Sequence, residues 1–206
     1  MLCVVTEETD RFIGECRVET LREVASALAS AKTEDEVCST LQSQLARNTR
    51  DLPFTLTYLF EDDGIARLAC SSSMPAEHPL APKRIAAHSD VPWPARQILI
   101  NPATYLIERL SERSEIAPLP SGAWNKPAHH AAIVPLRQQG QERPAGFFIV
   151  GTNPYRRYDS AYSGFIDLLT GQITAALNNA RAYEAERRRA EALAEIDRAK
   201  TTFFQM

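Results

Sequence analysis

No two of the four cysteines, Cys3, Cys16, Cys38 and Cys70, stand close enough in sequence to form a C-x-x-C pair. A zinc site needs closely paired ligands, and a disulfide framework needs clustered cysteines in a secreted context. The spacing supports neither and leaves reduced, partly buried thiols. A basic excess is also missing: the net charge is −3, so no electrostatic footprint for nucleic acid is expected. No apolar run approaches the roughly 20 residues that a membrane span needs. The first residues, Met1 to Glu8, lack the basic start and long apolar stretch of a signal peptide, so the chain reads as cytoplasmic. Glycine is scarce, at eight residues, and none of them builds a Gly-rich phosphate loop.

Proline is missing from both ends. Residues 1–52 and 155–206 contain none, and twelve of the 13 fall between Pro75 and Pro154. Because proline breaks helix interiors, the ends are free to be helical and the middle is not. Leu2 to Val5 is an apolar, β-branched scrap. From Asp10 a helical stripe follows through Phe12, Cys16, Leu21, Val24 and Leu28. Thr33-Glu34-Asp35-Glu36 fits a capping box, with Val37, Leu41 and Leu45 on one face of the helix it starts. At the other end, Asp159 onward reads as one helix to residue 206. Its broad apolar face (Tyr162, Phe165, Ile166, Leu169, Ile173, Ala176, Leu177, Ala180) suits docking on a sheet. After Tyr183 only Leu193, Ile196 and Phe203 keep a narrow stripe among charges, which seeks a partner helix as in a two-chain coiled coil.

Between the helical ends the residues read as strands and long loops. Phe54 to Phe60 alternates, with Phe54, Leu56, Tyr58 and Phe60 on one face. Asp62-Asp63-Gly64 is a turn signal, and Ile65 to Ser71 returns as the partner strand. Residues 72–102 form a proline-rich loop with at most a short helix from Pro94 to Ile100. Tyr105 to Leu110 is a further strand. Ala131 to Leu136 and Ala145 to Gly151 make a second hairpin, with Pro135 placed where its missing donor faces an edge, a bulge or a loop. The order of elements implies an α+β fold, an antiparallel sheet with helices on one face and long N- and C-terminal helices.

Two runs carry a family resemblance. Ala132-Ile133-Val134-Pro135-Leu136 followed by Gly146-Phe147-Phe148-Ile149-Val150-Gly151 is similar to the paired strands of GAF domains, over about residues 20–182. Asp197-Arg198-Ala199-Lys200-Thr201-Thr202-Phe203-Phe204 resembles the opening of the dimerisation helix of bacterial sensor histidine kinases, where such a run leads into the phosphoaccepting histidine. Leu2-Cys3-Val4-Val5-Thr6-Glu7-Glu8-Thr9 is similar to the last strand and exit of a PAS domain. The resemblance implies an upstream linker over 1–19, a GAF domain over 20–182, and a linker helix entering the kinase over 183–206. It further implies a non-catalytic sensory or relay module of a two-component system, with partners in its own kinase core, an upstream PAS domain and a second copy of itself. The alternatives are a GAF-fold reductase of the free methionine sulfoxide type and a GAF regulatory domain of a transcription activator.

Candidate chemistry is sparse. No phosphoaccepting histidine lies on a helix: His78 and His88 fall in the proline-rich loop, and His129 and His130 precede a strand. Neighbours on a strand point to opposite faces, so His129 and His130 do not easily share one metal or haem iron. GAF domains that hold a bilin do so through a cysteine followed by histidine. Here the cysteines precede Val4, Arg17, Ser39 and Ser71, and no cofactor is expected. Asn125-Lys126-Pro127 begins like the N-K-x-D-E run of cyclic-nucleotide-binding GAF domains but does not continue. Trp93, Tyr105, Trp124 and Phe148 are the candidate ligand-pocket residues, against their plain reading as core. Phe12, Cys16, Leu21, Leu193, Ile196 and Phe203 are the candidate dimer interface.

Overall fold

The computed structural model describes residues 2–110, 117–138 and 140–204, without the side chains of residues 2–13, 197 and 199–204. Two helices open the chain, α1 (Leu2–Leu28) and α2 (Glu34–Leu45). The expected strand at Leu2–Val5 is absent: these residues form the first turns of α1. Once the stripe from Asp10 holds a helix, adding a turn costs little, and β-branched residues oppose it only weakly. The Thr33 cap is present, with the return bond of Glu36 made to the residue before it. The Thr33 side chain accepts the Glu36 amide at 3.2 Å, and the Glu36 carboxylate accepts the Lys32 amide at 2.7 Å.

Six antiparallel strands form one sheet: β1 (Thr55–Phe60), β2 (Ala66–Ser72), β3 (Arg84–Ile85), β4 (Tyr105–Ile107), β5 (Ala131–Leu136) and β6 (Gly146–Gly151), in the order β3-β2-β1-β6-β5-β4. The Asp62–Gly64 turn joins β1 to β2, with Gly64 at φ +82° and the Ile65 amide bonded to the Asp63 carboxylate at 3.0 Å. A short helix, α3 (Ala95–Ile100), lies in the proline-rich loop. β4 pairs only with Ala131–Ile133, so the missing donor of Pro135 lies beyond its reach. Gly146 is required by close approach: a Cβ there would sit 2.0 Å from the Tyr58 carbonyl oxygen. The two-residue β3 has no sequence signal of its own; it is set by pairing Arg84 and Ile85 with Arg67 and Ala66.

The sheet separates two cores. On one face α1, α2 and a 45-residue helix, α4 (Ser160–Phe204), bury Val24, Val37, Leu41, Phe148, Val150, Tyr162 and Leu169. On the other face the loops and α3 bury Phe54, Leu56, Tyr58, Trp93, Ile98, Phe147 and Ile149. The last buried residue of α4 is Ala180, and from Ala185 every described side chain is exposed. Among the described residues no helix is long and apolar enough to cross a membrane.

Candidate functional site

Strand alternation decides which aromatics share a surface. Phe147 and Ile149 of β6 face the loop side, with Phe147 stacked on Tyr58 at 5.1 Å; Phe148 and Val150 face the helices. The four expected pocket residues are therefore not brought together. Trp93 is fully buried in the loop-side core, where its indole N–H bonds the Leu80 carbonyl at 2.7 Å. Tyr105 packs at the margin of that core and donates to the Asn101 carbonyl at 3.1 Å. Phe148 lies across the sheet under the helices. It is a correction of parity: of the pair Phe147-Phe148, the residue on the loop side is Phe147. Trp124 sits apart, its indole N–H on the Arg50 carbonyl at 2.9 Å and its ring edge-on to Tyr155. The sequence could not place Trp124, because its partner Arg50 is 74 residues away.

The expected interface residues divide as well. Leu193 and Ile196 are 64% and 52% exposed on the free part of α4. Leu21 packs against its own helix-side core, and Cys16 is half-buried beside a 340 Å³ groove between α1 and the end of α2. Among the described side chains of α1, the large apolar residue left exposed is Val18. The side chains of Phe12 and Phe203 lie outside the described residues.

A polar joint that sequence reading missed ties α1 to the root of α4. Arg17 bonds the buried Asp51 carboxylate at 3.0 Å, and its guanidinium lies over the Tyr162 ring, 4.3 Å from the centroid. The Tyr162 hydroxyl donates to the Asp51 carbonyl and accepts the Asn153 amide at 3.0 Å. Burial pushes the Tyr162 phenol well above its ordinary range. Asn48 donates to the Thr20 hydroxyl at 2.9 Å and accepts the Asp51 amide at 3.1 Å, joining α1 to the chain after α2. A second tie centres on Glu34, the first residue of α2, which receives Arg67 of β2 at 2.5 Å and Arg181 of α4 at 3.3 Å. α1 is thus joined to α4 through Asp51 and Tyr162, and α2 to α4 through the charge-assisted Glu34–Arg181 bond.

Beside α4 runs an 850 Å³ groove. Asp167, Thr170, Thr174 and Asn178 form its helix wall, and Val134, Pro135 and Arg137 its sheet wall. These α4 positions follow one another at helical spacing, which makes the wall a polar stripe. Among the described residues no group of three or more histidines, cysteines or carboxylates could hold a metal ion.

The sheet order, the two-sided core and the long terminal helix agree with a match of residues 31–178 to the GAF domain family model. The chain belongs to the GAF domain family. Solved GAF domains share its fold. That of an Acinetobacter phosphoenolpyruvate-protein phosphotransferase superposes with a TM-score of 0.59 at 15% identity, covering 81% of this chain and 95% of that one. A phycocyanobilin-bound GAF domain of a cyanobacterial phytochrome gives 0.56 at 15%, covering 81% and 96%. The fRMsr of Staphylococcus aureus in complex with its substrate gives 0.57 at 15%, covering 78% and 95%. No curated protein matches the chain in sequence. These neighbours come from a phosphotransferase, a phytochrome and fRMsr, so likeness to them describes the fold of this GAF domain and not its ligand.

Proposed function

We propose that this GAF domain is a non-catalytic relay of a two-component sensor histidine kinase, acting as a parallel homodimer that carries a change in the domain along α4 to the kinase. The observation that carries the reading is the continuity of α4. One helix is packed into the domain core up to Ala180 and runs on, exposed, into the Asp197–Phe204 run that resembles the kinase dimerisation helix. The Arg17–Asp51–Tyr162 joint supports the same reading, because it couples α1, the side where an upstream domain would attach, to the first turn of α4. Any small molecule is best placed in the groove along α4, where its polar contacts would bear directly on the output helix.

The test is a chimaera in which residues 1–206 are fused in frame to a histidine kinase core, with one to four residues inserted after Ala190. Each insertion rotates the downstream helix by about 100°. Autophosphorylation is expected to rise and fall with helical phase. A kinase activity independent of the number of residues inserted would overturn the relay.

A further inference from the structure

Cys38 and Cys70, 32 positions apart, meet in the fold. Cys38 lies on α2 and faces the sheet. On β2, Ala66 and Leu68 face the loop-side core, and simple alternation would send residue 70 the same way. The register slips between Thr57 and Tyr58, leaving Ala69 as an extra residue, and Cys70 is turned to the helix side opposite Thr57. Bulges re-aim side chains in this way. The two thiols hydrogen-bond each other, and Thr57 also bonds Cys70. These bonds hold the Cys70 thiol below its ordinary range, while the bond to Cys70 and burial push Cys38 up.

Cys70 also lines a 540 Å³ pocket at the outer edge of β2, with Arg67, Lys83 and Arg84 around it. β3 pairs only with Ala66 and Arg67, so beside Cys70 the strand edge opens on this pocket. A small molecule in this pocket would lie beside Cys70, where the two hydrogen bonds lower the thiol and the Glu34 carboxylate raises it.

We propose that Cys70 and Cys38 are a peroxide-reactive thiol pair that closes an intramolecular disulfide between β2 and α2. The Cys70 thiolate attacks one oxygen of a hydroperoxide; the O–O bond breaks, the sulfur becomes a sulfenic acid, and the other oxygen leaves with a proton from solvent as an alcohol or water. The Cys38 sulfur then attacks the Cys70 sulfur. The S–O bond breaks, and the departing hydroxide takes the Cys38 proton as water. Two thiols lose two electrons and one peroxide gains them. The crosslink would tie α2 to the sheet one turn from Glu34, whose arginine contacts reach β2 and α4.

The experiment uses the reduced 206-residue chain, treated with hydrogen peroxide, alkylated with iodoacetamide and digested without reductant for mass spectrometry. The expected result is the loss of two alkylatable thiols and a peptide pair joining residues 38 and 70, reversed by dithiothreitol. In Cys38→Ser, Cys70 should stop at a sulfenic acid that dimedone traps. In Cys70→Ser, oxidation of Cys38 should be slower by about tenfold or more. The wild-type chain alone decides the matter if a variant fails to fold. Four thiols still alkylatable after peroxide, or linked peptides that pair Cys3 or Cys16 instead, would overturn the proposal.

Discussion

Tyr162 places its hydroxyl between the Asp51 carbonyl and the Asn153 amide in a buried position. Tyr162→Phe leaves both backbone groups without that partner and is expected to cost about 1–3 kcal/mol in urea unfolding. The same residue gives the fold a pH dependence. Burial raises the phenols of Tyr58 and Tyr162, because a phenolate is poorly solvated there. Their contribution is fully present below the ordinary tyrosine value of about 10 and is lost as pH rises above it, since the unfolded chain releases these protons first. Stability measured from about pH 8 to 11 should therefore fall at the alkaline end, and less steeply in Tyr162→Phe than in the wild type. Gly146 is constrained differently: Gly146→Ala would put a methyl against the Tyr58 carbonyl, which is backbone and cannot rotate away. A loss of about 1–3 kcal/mol or more is expected by thermal or chemical unfolding. An unchanged midpoint would show that β1 and β6 can spread at no cost.

At the scale of elements, α2 depends on its cap. Thr33→Ala removes the acceptor for the Glu36 amide and should lower stability by about 1 kcal/mol. The cap was readable because Thr33 and Glu36 are near neighbours. Its neighbour tie was not, since Glu34 meets Arg67 and Arg181 only after the sheet and α4 are in place. α4 has two regimes. Up to Ala180 its apolar residues are held in the core; beyond that Leu193 and Ile196 are left to solvent, and covering each is worth roughly 1.5–3 kcal/mol. The broad stripe and the narrow stripe that follows it were visible as spacing in the sequence. The groove along the polar side of α4 was not, because its other wall is formed by β5.

For the whole molecule, the proposed dimer predicts that residues 1–206 sediment as a dimer and residues 1–182 do so less tightly or as a monomer. A monomer at high concentration, or a dimer unaffected by the truncation combined with Val18→Asp, would exclude the helical interface. Val18 serves this test and Leu21 does not: Leu21 packs on its own core, so a charge there would unfold the domain rather than separate two copies. Incubation of the chain with labelled ATP is expected to leave it unlabelled; incorporation would contradict the non-catalytic reading.

Local pattern determined a good deal. Proline's absence from the ends, the alternation of Phe54 to Phe60, the Asp-Asp-Gly turn and the apolar stripe of α4 specify elements through neighbours in sequence, and the α+β arrangement follows from their order. Tertiary structure decided which residues meet. It filled the loop-side face with Trp93 and Phe147, sent Phe148 beneath the helices, drew Arg17 to Asp51 and Tyr162, and through one bulged residue turned Cys70 toward Cys38. Register is the physical reason: a shift of one residue in a strand exchanges its faces, and no spacing within a single strand records where its partner slips.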